Sequence, residues 1–117
     1  MLQVTPQSKI FIATTVIDGR KGINGLAGTC RKKLNSEPLS GAIFVFRNKA
    51  KNTIKILCYD GQGFFLCIKR LSQGKFTWWP NSPSEASALS YRELQILINN
   101  GNPTKVNFSK DWKPLLD

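Results

Sequence analysis

Apolar residues fall along this chain in short blocks, and their spacing changes from block to block. KIFIATTVI, residues 9–17, is β-branched and aromatic and reads as a strand. The spacing then turns helical, with Ile23, Leu26, Ala27, Cys30 and Leu34 recurring on one face. Asp18 is placed to cap that helix, because a carboxylate accepts from the free N–H groups of a first turn. Arg31, Lys32 and Lys33 fill the last turn, where cations suit the helix dipole. SEP at 36–38 breaks the chain. GAIFVFRN, residues 41–48, is a continuously apolar second strand, the pattern of a strand covered on both faces. TIKILCY at 53–59 and FFLCIKRL at 64–71 read as the third and fourth strands, joined by the glycine-rich hairpin loop DGQG at 60–63. KAKN at 49–52 makes a basic turn, SQG at 72–74 another, and KFTWW at 75–79 reads as a short fifth strand.

NSPSEASA, residues 81–88, is small and polar and reads as a linker. Ser90 and Glu93 form the S-x-x-E capping box of a helix over YRELQILINN, and Gly101 with Pro103 stops it. The element order is β-α-β-β-β-β-α. Strands two to five are joined too closely for parallel crossovers, so they form an antiparallel meander. The expected fold is α+β, a mostly antiparallel sheet with two helices packed on it. One domain spans 1–117: a basic core over 8–80, a loop over 81–89, a helix over 90–101 and an irregular tail over 102–117. That tail offers Val106, Phe108, Trp112, Leu115 and Leu116 for packing.

The four-residue loop also fixes the faces of the central hairpin. Leu57, Tyr59, Phe64, Leu66 and Ile68 share one side; Ile54, Ile56, Cys58, Phe65 and Cys67 share the other. Both sides are apolar, so both need cover. The two helices and the tail are one solution, and a second copy of the chain in a homodimer is the other.

Composition narrows the chemistry. The chain has 117 residues, a formal net charge of +10 and no histidine. Ser-His-Asp and Cys-His catalysis are therefore excluded, as is any zinc site that needs an imidazole. Cys30, Cys58 and Cys67 make an odd count with no C-x-x-C pair, which fits small core residues in a reducing compartment rather than a disulfide framework. No trio of carboxylates stands out for a metal-dependent nuclease, and no metal or other cofactor is expected. With no long apolar run and no secretory leader, the expectation is a cytoplasmic protein, nucleoid-associated if it holds DNA, without membrane contact. The charge is uneven: residues 1–80 carry 13 Lys/Arg against 3 Asp/Glu, whereas residues 81–117 carry 4 of each. Such a skew favours a polyanionic partner.

DGRKGINGLAG at 18–28 is the sharpest candidate. Arg20 and Lys21 stand where a helix dipole is already positive, and Gly22, Gly25 and Gly28 form a bare stripe. An anion docked there would meet free N–H groups and two cations together. Alternatively Asp18 offsets the cations and the glycines serve helix–sheet packing. Lys69 and Arg70 before a turn, with Lys75, Trp78 and Trp79 after it, interleave charge with rings as single-stranded nucleic acid requires. The structural alternative is that these rings are core. The candidate nucleic-acid contacts are Arg20, Lys21, Arg31, Lys32, Lys33, Arg47, Lys49, Lys55, Lys69, Arg70, Lys75 and Trp78.

Four landmarks stand in order: D-x-R-K-G-x-x-G-L at 18–26, S-G-x-x-F-V-F-R-N at 40–48, K-x-L-x-x-D-G-x-G at 55–63, and K-R-L-x-x-G-x-F-x-W-x at 69–79 leading into Pro80. In this spacing the chain resembles the Orf-two-like, TnpB-type accessory proteins of the IS-sixty-six class of bacterial insertion sequences. The resemblance covers roughly residues 8–101. The family usually has a larger residue where Gly19 stands, and often Trp where Tyr59 stands. The resemblance implies a protein encoded beside a separate DDE-type transposase and needed for efficient transposition, without catalysis of its own. Arg20, Lys21, Lys69 and Arg70 match cations of the family's motifs. The transposase is the partner it implies; that these cations contact DNA of the element ends, through a basic surface formed by residues 1–80, is inferred from the charge. An adaptor that holds the transposase without touching DNA is the alternative.

Overall fold

A computed structural model describes residue 5 and residues 7–103. The elements are β1 (Ile10–Ala13), α1 (Ile23–Lys32), a single 3₁₀ turn (Pro38–Ser40), β2 (Ile43–Arg47), β3 (Thr53–Tyr59), β4 (Phe64–Arg70), β5 (Ala86–Leu89) and α2 (Tyr91–Ile98). They build one five-stranded mixed sheet in the order β4-β3-β2-β1-β5. β2, β3 and β4 form an antiparallel meander. β1 lies parallel to β2, with α1 as the crossover between them. The tail residues Val106, Phe108, Trp112, Leu115 and Leu116 lie outside the described residues.

The hairpin matches its sequence reading residue for residue. Tyr59 faces Phe64, Leu57 faces Leu66 and Ile56 faces Cys67 across the 60–63 loop. Gly61 supplies the positive φ of 98° that the tight turn needs, and Asp60 accepts from the Gln62 and Gly63 N–H groups. Period-2 alternation then builds two cores. Phe44, Phe46 and Leu57 bury beneath α1 with Leu26, Ala27, Cys30 and Leu34. Ile43, Val45, Ile54 and Ile56 bury on the opposite side with Leu94 and Leu97 of α2 and with Phe76. Each large side chain fully removed from water contributes roughly 1.5–3 kcal/mol. One helix thus covers each face of the sheet.

The fifth strand is not the expected one. KFTWW at 75–79 joins no ladder. Its rings lie across the α2-side face instead, where Phe76 is 1% exposed and Trp78 and Trp79 are half-buried. The Trp79 indole N–H donates to the Ala13 carbonyl at 2.7 Å. Aromatic residues suit a strand and suit a sheet's cover equally well, and here the cover won. Part of the expected 81–89 loop supplies the strand: Ala86–Leu89 pairs antiparallel with β1. Its small polar sequence carries little strand propensity, so the pairing rests on the open edge of β1.

Two helix boundaries also shift. Asp18 does not cap α1. Gly22 occupies the N-cap, with no side-chain acceptor and no acid in the first turn. The α2 capping box forms as expected, with Ser90 Oγ accepting from the Glu93 N–H and a Glu93 carboxylate oxygen from the Ser90 N–H. That helix ends at Ile98, earlier than expected. Gly101 then donates its N–H to the Ile96 carbonyl at 2.8 Å, and a Cβ there would sit 2.6 Å from Ile96 Cγ2. Only glycine fits that close return.

Candidate functional site

The loop between β1 and α1 organises one end of the sheet. Ile17 bridges to Asn48, which ties this loop to the β2–β3 turn. Asp18 accepts from the Arg20 backbone N–H at 2.9 Å and from its guanidinium at 2.9 and 3.2 Å. These bonds hold the Asp18 carboxyl well below the usual carboxylate range, with Lys49 adding a smaller pull. Asp18 therefore offsets Arg20 instead of capping the helix. In the β2–β3 turn, Asn48 Oδ1 accepts from the Asn52 and Thr53 N–H groups, both at 3.1 Å, leaving Lys49 and Lys51 exposed at the tip. The chain leaving β4 is pinned to the same turn, by Leu71 N–H to Asn52 O at 2.9 Å and Phe76 N–H to Lys51 O at 2.7 Å.

As a result, Arg20, Lys21, Lys49, Lys51, Arg70 and Lys75 gather at one end of the sheet from separate segments of sequence. All but Lys21 are exposed. The acids at this end, among the described residues, are Asp18, already paired, and Glu85, just before β5. The opposite end is mixed: Lys9, Arg92 and the end of α1 lie there with Glu37, Asp60 and Glu93, and Arg31 pairs with Glu37 at 3.3 Å. Lys51 was absent from the sequence-based candidates. Its place beside Lys49 in the basic turn was the available signal.

A second cationic feature runs along α1. Lys21 lies back over the helix, and its ammonium donates to Thr29 Oγ1 at 3.0 Å. Gly25 makes room for this, since a Cβ there would meet the Lys21 Cβ and Cγ at 3.2 Å. Cβ atoms at Gly22 and Gly28 would meet nothing within 4 Å, so the glycine stripe does not serve helix–sheet packing. The stripe opens an exposed groove of about 270 Å³ lined by Lys21, Asn24, Gly25, Gly28, Lys32 and Lys33.

Two expected contacts turn inward, and two more are engaged by the fold. Lys55 is 8% exposed, and its ammonium donates to the Gly19 and Lys21 carbonyls at 2.7 and 2.8 Å. Arg47 is also 8% exposed. It donates to the Phe76 carbonyl at 3.1 Å and lies 4.7 Å from the centroid of the Trp79 ring, while its Nε has no partner. Burial pulls the Arg47 pKa downward. Lys69 donates to the Ile98 carbonyl at 2.6 Å, at the C-terminal end of α2 where a cation is favoured. Lys55 and Arg47 stand at strand positions whose side chains face a covering layer, so the pleat carries them into the fold. Trp78 packs against the α2-side core, which spends its ring on burial.

The remaining chemistry is sparse. Burial pushes the Cys30 thiol up to about 11, which leaves it protonated and a poor nucleophile. Among the described residues, no group of three or more His, Cys, Asp or Glu is placed to hold a metal ion. No helix among them is long and apolar enough to cross a membrane.

The fold and this end of it define a small α+β protein whose exposed chemistry is cationic. The chain belongs to the IS66 Orf2-like family, whose model matches residues 8–107. Two proteins of Sinorhizobium fredii, y4hO and y4jC, are similar to it. The first is 36% identical over 99 residues, 85% of each chain. The second is 35% identical over 98 residues, 84% of this chain and 83% of its own. No solved structure matches. Family membership gives the chain an accessory role in the transposition of an insertion sequence.

Proposed function

We propose that this protein is a non-catalytic accessory factor of transposition that binds the DNA of its element through the basic end of the sheet. The observation that carries the reading is the gathering of Lys49, Lys51, Arg70 and Lys75 at that end, beside an Arg20–Asp18 ion pair that already occupies the Asp18 carboxylate. Phosphates meeting these cations would release condensed counterions, and affinity would fall with salt at a slope of about −0.9 per phosphate neutralised. The α1 groove, with Lys32 and Lys33, extends the surface along one side.

The test is binding of labelled duplex DNA from the element's ends, measured by fluorescence anisotropy across a salt series. Replacing Lys49, Lys51 and Lys75 by alanine should reduce the salt slope by about 2.7, three contacts' worth. An affinity indifferent to salt, or a triple variant with the parent slope, sinks the proposal. The rival reading is an adaptor that holds the element's DDE transposase without touching DNA. The exposed Ile68 on the open strand β4 favours it. Co-purification with the transposase at high salt, with no shift of terminal DNA by this protein alone, would decide for the adaptor.

A further inference from the structure

The two edges of the sheet are built differently. β5 is four residues long, with Pro83 just before it and α2 directly after. Short strands and flanking prolines are how native proteins blunt an edge. β4 is seven residues long, contains no proline, and pairs with β3 in unbroken register. Its outer side faces no strand among the described residues.

The register fixes which β4 groups point outward. Asp60 N–H donates to Gly63 O, and Leu71 N–H donates to Asn52 O. Hydrogen-bonded pairs alternate between those two points, so Phe65, Cys67 and Lys69 direct their backbone groups to β3. Phe64, Leu66, Ile68 and Arg70 direct theirs to the open edge. Ile68 is 57% exposed on the same stretch.

The geometry points to a second copy of this chain as the occupant of that edge, joined β4 to β4 in antiparallel register about a two-fold axis at Cys67. This register uses the whole strand. Leu66 and Ile68 of one copy bond their counterparts Ile68 and Leu66 in the other, and Phe64 and Arg70 do the same, so every outward donor and acceptor is satisfied. The side chains match as well. Leu66 stands opposite Ile68, Phe64 opposite Arg70, and Phe65 opposite Lys69, so no like charges face each other. An axis midway between two residues would set outward groups against inward-directed ones, and an axis at Leu66 or Ile68 would leave Arg70 or Phe64 outside the ladder, so only the Cys67 dyad pairs all four. The product is a single sheet twice as wide, with the two basic ends pointing in opposite directions. The dimer does not depend on what those ends bind.

The dyad supplies its own reporter. Cys67 would face its counterpart at a non-hydrogen-bonded position, where Cα atoms lie about 4.5 Å apart, within disulfide reach. The experiment takes the full chain, with Cys58→Ser to remove the neighbouring thiol. Light scattering in reducing buffer should show a dimer, and mild oxidation should yield a covalent dimer that Cys67→Ser abolishes. Ile68→Pro removes an outward N–H and leaves the β3 ladder intact. It should weaken dimerisation on the order of 30-fold, from two lost interchain hydrogen bonds. A monomer at all accessible concentrations overturns the inference. So does a covalent dimer that survives Cys67→Ser, or a folded Ile68→Pro variant that dimerises as tightly as its parent. If Ile68→Pro fails to fold, the Cys67 cross-link decides alone. A monomer that dimerises with nothing but captures the transposase through Ile68 assigns the edge to that partner instead.

Discussion

Replacing Lys55 by methionine separates the two jobs that cations do in this protein. Methionine keeps the apolar stem and removes the ammonium, with its bonds to the Gly19 and Lys21 carbonyls at 2.7 and 2.8 Å. Hydrogen bonds from a charged donor contribute roughly 1.5–3 kcal/mol each. Part of that is offset, because the variant no longer desolvates an ammonium, and Gly19 lies in an exposed loop whose carbonyl can turn to water. The net loss should be about 2 kcal/mol, or a fall in melting temperature of roughly 10 °C for a domain of this size. DNA binding should respond otherwise. A lysine 8% exposed whose ammonium is doubly bonded neutralises no phosphate, so the salt slope of any DNA affinity should match the parent's. Lys49→Met, at an exposed turn, should do the reverse, lowering the slope by about 0.9 with a stability change within about 0.5 kcal/mol. Calorimetry and the anisotropy salt series on both variants make the comparison. A Lys55→Met protein that melts with the parent but loses a unit of slope would refute the assignment of Lys55 to the interior.

Gly28→Ala should stabilise the protein by about 0.5–1 kcal/mol in urea titration, because an added Cβ meets nothing within 4 Å and the helix gains propensity. Gly25→Ala should bring no such gain, since its Cβ meets Lys21 at 3.2 Å. Asp60 has its pKa lowered, chiefly by the Gln62 and Gly63 N–H groups, so its contribution is full above the ordinary value of 3.8 and is lost as pH falls through the lowered one. Melting curves of the parent and Asp60→Ala should therefore differ near neutral pH and converge below 3.8. Cys30, raised from 9.0 to about 11, favours folding fully below pH 9.0 and loses that contribution as pH climbs toward 11. Thiol labelling with Ellman's reagent at pH 8 should modify Cys58 and Cys67 in the folded protein and reach Cys30 only on unfolding.

The central hairpin was legible because alternation and a glycine-rich loop fix register together; one residue of slip would have put Lys55 and Leu57 on the wrong face. The capping box at Ser90 was legible for a similar reason, since two side chains at fixed spacing satisfy each other's backbone. What stayed hidden depends on partners distant in sequence. Ala86–Leu89 is a strand only because β1 offers it an edge, and nothing in SEASAL announces that pairing. Phe76, Trp78 and Trp79 have the composition of a strand, but their rings answer to the face of β1 and β2. The N-terminus of α1 was misplaced for a local reason. Arg20 competes for the Asp18 carboxylate and wins with three hydrogen bonds, so the helix starts four residues later at a glycine.

The cations of the candidate site follow a rule that the pleat could have supplied. Those in turns, Lys49, Lys51 and Lys75, stay outside. Those within strands go where alternation sends them: Arg47 follows Ile43 and Val45 toward α2, and Lys55 joins Leu57 toward α1. Each inward cation then fastens a segment that carries an outward one. Lys55 holds the loop bearing Arg20 and Lys21, and Arg47 holds Phe76, the neighbour of Lys75. Lys69 holds the end of α2, whose Asn100 side chain in turn donates to the Lys75 carbonyl. Basic residues thus position basic residues. Positive charge in this chain is therefore a poor guide to which side chains meet a partner, and a better one to how the surface that meets it is kept in place.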